Sequence, residues 1–148
     1  MDPIEPFEWK SSFELGVNAI DDEHRDLFDR AGRLHAVVEQ GNMTQCAVIA
    51  DEILVAAQRH FENEEAFLER VGYPDRSGHK VFHEQLRAQV QELRTLCGAG
   101  ADMPDVWACY AAVLAFLIDD VVGGDIKFKS YLIEHGYSGR RGGDTAPL

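Results

Sequence analysis

Basic residues are scarce in this chain: 14 lysines and arginines face 26 aspartates and glutamates, a formal charge of −12 over 148 residues. Phosphate-bearing partners would be repelled, which argues against nucleic acid and anionic membrane surfaces as ligands. Cysteine is scarce too. Cys46, Cys97 and Cys109 show no metal-binding spacing, and an odd count makes a poor disulfide framework, so they are expected to act as small apolar residues in a reducing cytoplasm. The longest apolar run, Val106 to Ile118, falls short of the roughly 20 residues a membrane helix needs and reads as a buried core helix. Met1-Asp2-Pro3-Ile4-Glu5 carries no basic n-region and no apolar h-region, so no secretory signal is expected. Gly-rich phosphate loops, nucleophile elbows, basic aromatic patches and internal repeats are missing as well. What is left is a single domain of common size with acid in excess, which suits a chain that spends carboxylates on cations.

Histidine is where the chain departs from an ordinary helical protein. His60 and Glu64 are four apart, as are His79 and His83, so on an α-helix each pair projects from one side and can grip a single ion. A single histidine on an apolar stripe reads as a satisfied core residue. Two spaced pairs on neighbouring helices, joined by a turn at Gly72-Tyr73-Pro74, resist that reading.

Residues 1 to 20, with Pro3, Pro6, Phe7, Trp9, Phe13 and Val17, show no regular period and read as an extended arm whose aromatic residues pack on the rest. From a cap at Asp21 or Asp22, a first helix places His24, Leu27, Phe28, Ala31, Leu34, His35 and Val38 on one face and ends at Gly41-Asn42. A second helix, capped by Thr44 and running to about Arg70, aligns Ile53, Ala57, His60, Phe61, Glu64, Phe67 and Leu68. Glu64 is anomalous there, because a carboxylate on an apolar stripe costs several kcal/mol unless something positive meets it. The third helix turns His79, Phe82, His83, Leu86, Val90, Leu93 and Cys97 inward and closes at Gly98-Ala99-Gly100. The fourth opens near Asp102 to Pro104 and runs through Trp107, Tyr110, Leu114 and Leu117. Its far end, Asp119-Asp120-Val121-Val122-Gly123-Gly124-Asp125, has three aspartates and two glycines, which loosen a helix by up to about 1 kcal/mol each relative to alanine. A short helix from Ile126 to His135 follows, and a polar tail, 138–148, is expected to be disordered.

Four amphipathic helices with short links predict an all-α, up-down-up-down four-helix bundle over residues 1–137. In that topology the start of the first helix, the end of the second, the start of the third and the end of the fourth meet at one end. His24, His60 with Glu64, His79 with His83, and Asp120 with Asp125 occupy those four places. Nitrogen and oxygen donors without thiolate suit iron, manganese or, less well, zinc. Glu64 and Asp125 each have two oxygens and could bridge two ions, which makes a dinuclear centre the economical reading.

Trp9, the stretch from Gly16 to His24, His60-Phe61-Glu62-Asn63-Glu64-Glu65, Gly72-Tyr73-Pro74 and His79-Lys80-Val81-Phe82-His83 together resemble the bacterial hemerythrins, over nearly the whole chain to about Tyr131. The resemblance implies a four-helix bundle that binds O2 reversibly at a non-haem di-iron centre cycling between Fe2+ and Fe3+, with an oxo or hydroxo bridge; the donor set also accepts manganese or mixed metals. By matching position it assigns His24 and His60 to one iron and His79 and His83 to the other, with Glu64 and Asp125 bridging. It also assigns Phe61, Phe116, Leu117 and Val121 to the apolar lining of the O2 pocket. The partner implied is O2, a related diatomic or peroxide, with no protein partner indicated.

One position departs from the family. Its last-helix motif has a ligand histidine five residues before the bridging aspartate, and here that place is Asp120. Three arrangements stay open: direct ligation by Asp120, contact through water because its arm is shorter, or weak binding of that metal. An anionic oxygen in place of a neutral imidazole lowers the cluster charge by one unit and favours the ferric state, so the centre is expected to autoxidise more readily. Besides an O2-binding protein, a di-iron enzyme consuming O2, peroxide or nitric oxide and a redox or oxygen sensor are the rival readings. His35, three turns beyond His24, reads as a core or rim residue, and His135 as solvated. Among the nearby acids, Glu65 is the one expected to support a ligand from outside.

Overall fold

The computed structural model describes residues 7–98 and 103–137. Its main helices are α1 (Asn18–Glu39), α2 (Met43–Arg70), α3 (Arg76–Leu96) and α4 (Met103–Ile118), followed by a π-helical segment Asp119–Gly124, a 3-10 turn Asp125–Phe128 and a short α5 (Lys129–Glu134). Helix α1 packs on α2 and α4, and α3 packs on the same two, so the rods close into the four-helix bundle that the periodicity predicts. The tail 138–148, and the residues Ala99 and Gly100 expected to close α3, lie outside the described residues.

The turns follow from their residues. After α1 the chain reverses at Gly41, which adopts φ of 71°, a conformation that only glycine takes without strain. Asn42 N–H then returns to Val37 O and Gly41 N–H to Val38 O, both at 3.0 Å, satisfying carbonyls that the helix end leaves open. Gly72 repeats the arrangement after α2, with Tyr73 N–H donating to Leu68 O.

Two starts differ from expectation. Helix α1 begins at Asn18, so Asp21 lies in its first turn rather than at its cap, and its carboxylate reaches back to accept the Leu15 and Gly16 N–H groups at 2.8 and 3.0 Å. Helix α2 is capped by Asn42, whose side chain accepts from Gln45 N–H, not by Thr44. The last helix is also shorter than the Ile126 to His135 span predicted, because Asp125–Phe128 winds as a 3-10 turn.

The cysteines correct the sequence reading outright. Cys97 and Cys109 form a disulfide across Cα atoms 5.1 Å apart, and Cys46 alone is free and buried. Twelve residues of separation gave no hint of it. The bundle brings the end of α3 beside the start of α4, and the cysteine argument for a reducing compartment falls with that contact. The length argument at Val106 changes as well: Val106–Glu134 forms one helical stretch long and apolar enough to cross a membrane by composition. Its apolar side chains Val106, Trp107, Tyr110, Val113, Phe116 and Leu117 are nevertheless buried in the bundle core.

That core comes in two parts. The larger runs along all four rods from Leu27, Ile53, Phe61 and Leu86 to Val121. The smaller gathers Leu15, Val17 and Ile20, Phe67, Leu68 and Val71, and Phe128 and Leu132. Along α1, α2 and the segment after α4, the residues between the two parts include His24, Glu64 and Asp125.

Candidate metal centre

Nine polar or charged side chains are buried among the described residues, and seven of them are His24, His60, Glu64, His79, His83, Asp120 and Asp125, each 6% exposed or less. Four chain segments thus deliver four imidazoles and three carboxylates to one interior layer. His24 comes from α1, His60 and Glu64 from α2, and His79 and His83 from α3. The aspartates come from beyond α4, where the helix widens. In an α-helix residues five apart diverge by about 140°. Opening the turn to an i→i+5 pattern brings them over one another, and Asp125 N–H donates to Asp120 O within that widened turn.

Gly124 permits this. A Cβ there would lie 2.0 Å from Phe82 Cε2, so only glycine lets α3 approach the widened segment this closely. The residue expected to loosen the helix instead makes room for a ring.

The donors sort into two overlapping groups, His24, His60, Glu64 and Asp125, and Glu64, His79, His83 and Asp125, whose donor atoms lie within 4.8 Å of one another in each group. Glu64 divides its oxygens between them. Oε1 lies 2.6 Å from His79 Nε2 and 3.1 Å from His83 Nε2, and Oε2 lies 3.5 Å from His24 Nε2 and 3.2 Å from His60 Nε2. Asp125 does the same, Oδ2 standing 2.9 Å from His24 Nε2 and Oδ1 3.0 Å from His79 Nε2. Asp120 lies at the margin, 3.4 Å from His83 and 3.7 Å from His60.

Electrostatics within the layer are strongly coupled. Burial and the neighbouring His60 would lower the His24 imidazole, but Asp125 and Glu64 carry it up to about 9. His79 reaches about 9 against burial for the same two acids. His60 and His83 also rise well above the ordinary value in spite of burial, His60 beside Glu64 and Asp125, His83 beside Asp120 and Asp125. Burial would raise Glu64 and Asp125, yet the facing histidines hold both below the usual carboxylate range. Asp120 moves the other way: burial and the charge of Asp125 raise it, and His83 offsets only part.

Whether these side chains fit cations can be judged from their leftover valence. His83 Nε2, Glu64 Oε2 and both oxygens of Asp120 and of Asp125 are buried without a hydrogen-bond partner. Ring nitrogens approach Glu64 Oε2 and the Asp125 oxygens closely without hydrogen-bond geometry; Glu64 Oε1 alone of these oxygens is paired, with His79 Nε2 at 2.6 Å. Buried polar atoms left this way cost about 1–3 kcal/mol each. Cations at the points where the lone pairs converge would satisfy them together, and oxygen with imidazole is the donor set of iron or manganese.

Outer contacts fix two of the rings. His60 Nδ1 lies 2.8 Å from Glu23 Oε1 and His83 Nδ1 2.9 Å from Glu65 Oε2. A carboxylate can only accept, so Nδ1 carries a hydrogen and Nε2 is the nitrogen left for a metal once it loses its proton. Asn63 donates to the other Glu23 oxygen and Arg87 to Glu65. Glu65 was expected from sequence. Glu23 was missed, its only signal being its place beside His24.

Phe61, Phe116, Leu117 and Val121 are all buried, and Phe61 stacks on His83 at 4.4 Å between ring centres. Trp9 from the arm packs 6.4 Å from the His24 ring. His35 stays out of the layer, paired with Glu39 at 3.0 Å and set against Trp107 and Tyr110, and His135 is exposed at the surface.

Comparison with known proteins agrees with this architecture. Residues 15–123 match the family described as the hemerythrin HHE cation binding domain, a span that stops just before Asp125. A bacteriohemerythrin of Stenotrophomonas maltophilia is 34% identical over 99 residues, 66% of this chain and 63% of that protein, so the chain matches under two thirds of its length. A hemerythrin-like protein of Naegleria gruberi is 28% identical over 127 residues, 86% of this chain and 94% of its own. A crystal structure of wild-type hemerythrin superposes with a TM-score of 0.69 at 23% identity, covering 84% of this chain and 95% of that one, a likeness of fold. With the bundle, the buried layer and the family match in agreement, this chain belongs to the hemerythrin family.

Proposed function

We propose that the buried layer holds two iron ions and that the protein binds O2 or a related small diatomic there. The observation that carries this is the division of Glu64 and Asp125 between two groups of donors, one completed by His24 and His60, the other by His79 and His83. On this reading those six side chains are ligands, and Asp120 joins them. Held by these residues, a ferrous pair would supply two electrons to a bound diatomic and could take them back.

The protein's part is positional. Glu23 and Glu65 set the rings of His60 and His83, while the apolar walls around the layer keep bulk water from the ions. Phe61, Phe116, Leu117 and Val121 offer a small, uncharged molecule a dry place beside the cluster. Asp120 favours a second reading. A third carboxylate stabilises the ferric state and suits an enzyme that consumes O2, peroxide or nitric oxide under added reductant.

One experiment tests both. Protein loaded with iron and reduced without air is exposed to O2 while its visible absorption is followed, then degassed. A new band that persists and disappears on degassing is expected of reversible binding. Rapid passage to the ferric spectrum, renewed with each addition of reductant, assigns the enzyme. Metal analysis that finds no bound iron sinks both.

A further inference from the structure

We propose that Asp120 is a third bridging carboxylate, giving one oxygen to each of the two metal positions, rather than a side chain that serves one metal alone. The proposal rests on the di-metal reading of the layer and goes beyond it, because it fixes the symmetry of the centre.

Each carboxylate of the layer divides its oxygens between the two halves. Glu64 faces His79 and His83 with Oε1 and His24 and His60 with Oε2. Asp125 faces His79 and His83 with Oδ1, at 3.0 and 3.8 Å, and His24 and His60 with Oδ2, at 2.9 and 3.5 Å. Asp120 shows the same division: Oδ1 stands 3.4 Å from His83 Nε2, and Oδ2 stands 3.7 Å from His60 Nε2. Those two imidazoles belong to different halves of the layer. A ligand to one metal would leave its second oxygen to a hydrogen-bond partner, and the structure gives Asp120 none.

Both Asp120 oxygens are fully buried and make no hydrogen bond, so neither is engaged elsewhere. The widened turn supplies the reach, since it holds Asp120 and Asp125 on the same face of one segment. Each metal position then receives two imidazole nitrogens and one oxygen from each of three carboxylates. The two positions become chemically equivalent, each with one coordination site left for an outside ligand in an octahedral arrangement.

Equivalence can be read directly. The protein is loaded with the Mössbauer-active isotope of iron, oxidised, and measured for iron content and for its quadrupole doublets, beside Asp120→Asn and Asp120→His. Two irons per chain with a single doublet in the unsubstituted protein, splitting into two doublets of equal area in both variants, supports the bridge. Asparagine keeps the shape but offers one neutral oxygen, and histidine one nitrogen, so neither can serve both metals. Two irons per chain with two distinct doublets already in the unsubstituted protein overturns the bridge and leaves the di-metal centre standing. Fewer than two irons per chain in the unsubstituted protein overturns the di-metal reading, and the bridge with it. If neither variant folds, the doublet count of the unsubstituted protein decides.

Discussion

Glu23 on α1 reaches across to α2 and accepts the Nδ1 hydrogen of His60, 2.8 Å away, while Asn63 holds its second oxygen at 2.7 Å. The imidazole is thus oriented from outside the layer by a residue that never enters it. Removing such an outer partner typically weakens metal binding 10–100-fold. Glu23→Ala is therefore expected to lose about one to two orders of magnitude in iron affinity, measured by competition with a chelator. An unchanged affinity would show that packing alone sets the ring.

Protons and metal compete for the same nitrogens. His24 and His79 titrate near 9 in the metal-free fold, so both are charged at neutral pH, whereas a metal ligand must be neutral. Metal uptake at neutral pH must release protons. Affinity should climb as pH rises toward about 9 and fall as pH drops below neutrality. Calorimetry in buffers of different ionisation enthalpy measures the release, and a result of zero protons contradicts this assignment.

Gly124→Ala places a methyl group 2.0 Å from Phe82 Cε2. Overpacking of this kind costs about 1–3 kcal/mol, more than the gain in helix propensity from alanine returns. A fall in Tm of about 3–10 °C is expected for a chain of this size, with partial recovery when Phe82→Leu is added. No recovery in the double variant would place the strain elsewhere.

Asp120→His exchanges a buried anion for a neutral imidazole. Beside the proposed irons, losing a negative charge would disfavour the ferric state, so the iron-loaded ferrous protein in air should oxidise several-fold more slowly than its parent. Spectra recorded after mixing with air give the rate. Equal or faster oxidation in the variant removes the charge argument.

The disulfide predicts a thiol count. Unfolded without reductant, the protein should show one reactive thiol, that of Cys46, and three after reduction. Closing so short a loop stabilises by about 2–3 kcal/mol in the chain-entropy view. Reduction of the folded protein should therefore lower its Tm. Three thiols without reductant would restore the original reading of the cysteines.

Much of the layer was legible in the sequence because burying His60, Glu64 and His83 on apolar stripes makes no sense without a common partner. Periodicity also carried the bundle. What escaped depends on contacts that the helical repeat does not encode, some local and some between distant segments. Asp21 looked like a helix cap because it has the right side chain, but its bonds run backward to Leu15 and Gly16. Thr44 and Asn42 are both good caps, and the Gly41 reversal chooses between them. Cys97 and Cys109 meet only because two helix ends do. Glu23 serves a ring 37 residues further along the chain. Gly124 matters for Phe82, a neighbour no linear pattern reveals.

The smaller apolar cluster joins Leu15, Val17 and Ile20 to Phe128 and Leu132, segments far apart in sequence, with Phe67 and Leu68 between. A polypeptide emerging from the ribosome has every imidazole of the layer in hand long before it has Asp125, Phe128 or Leu132. Until those residues arrive the layer lacks one wall, so the arrangement that could hold a cation depends on the segment after α4 closing against the start of α1.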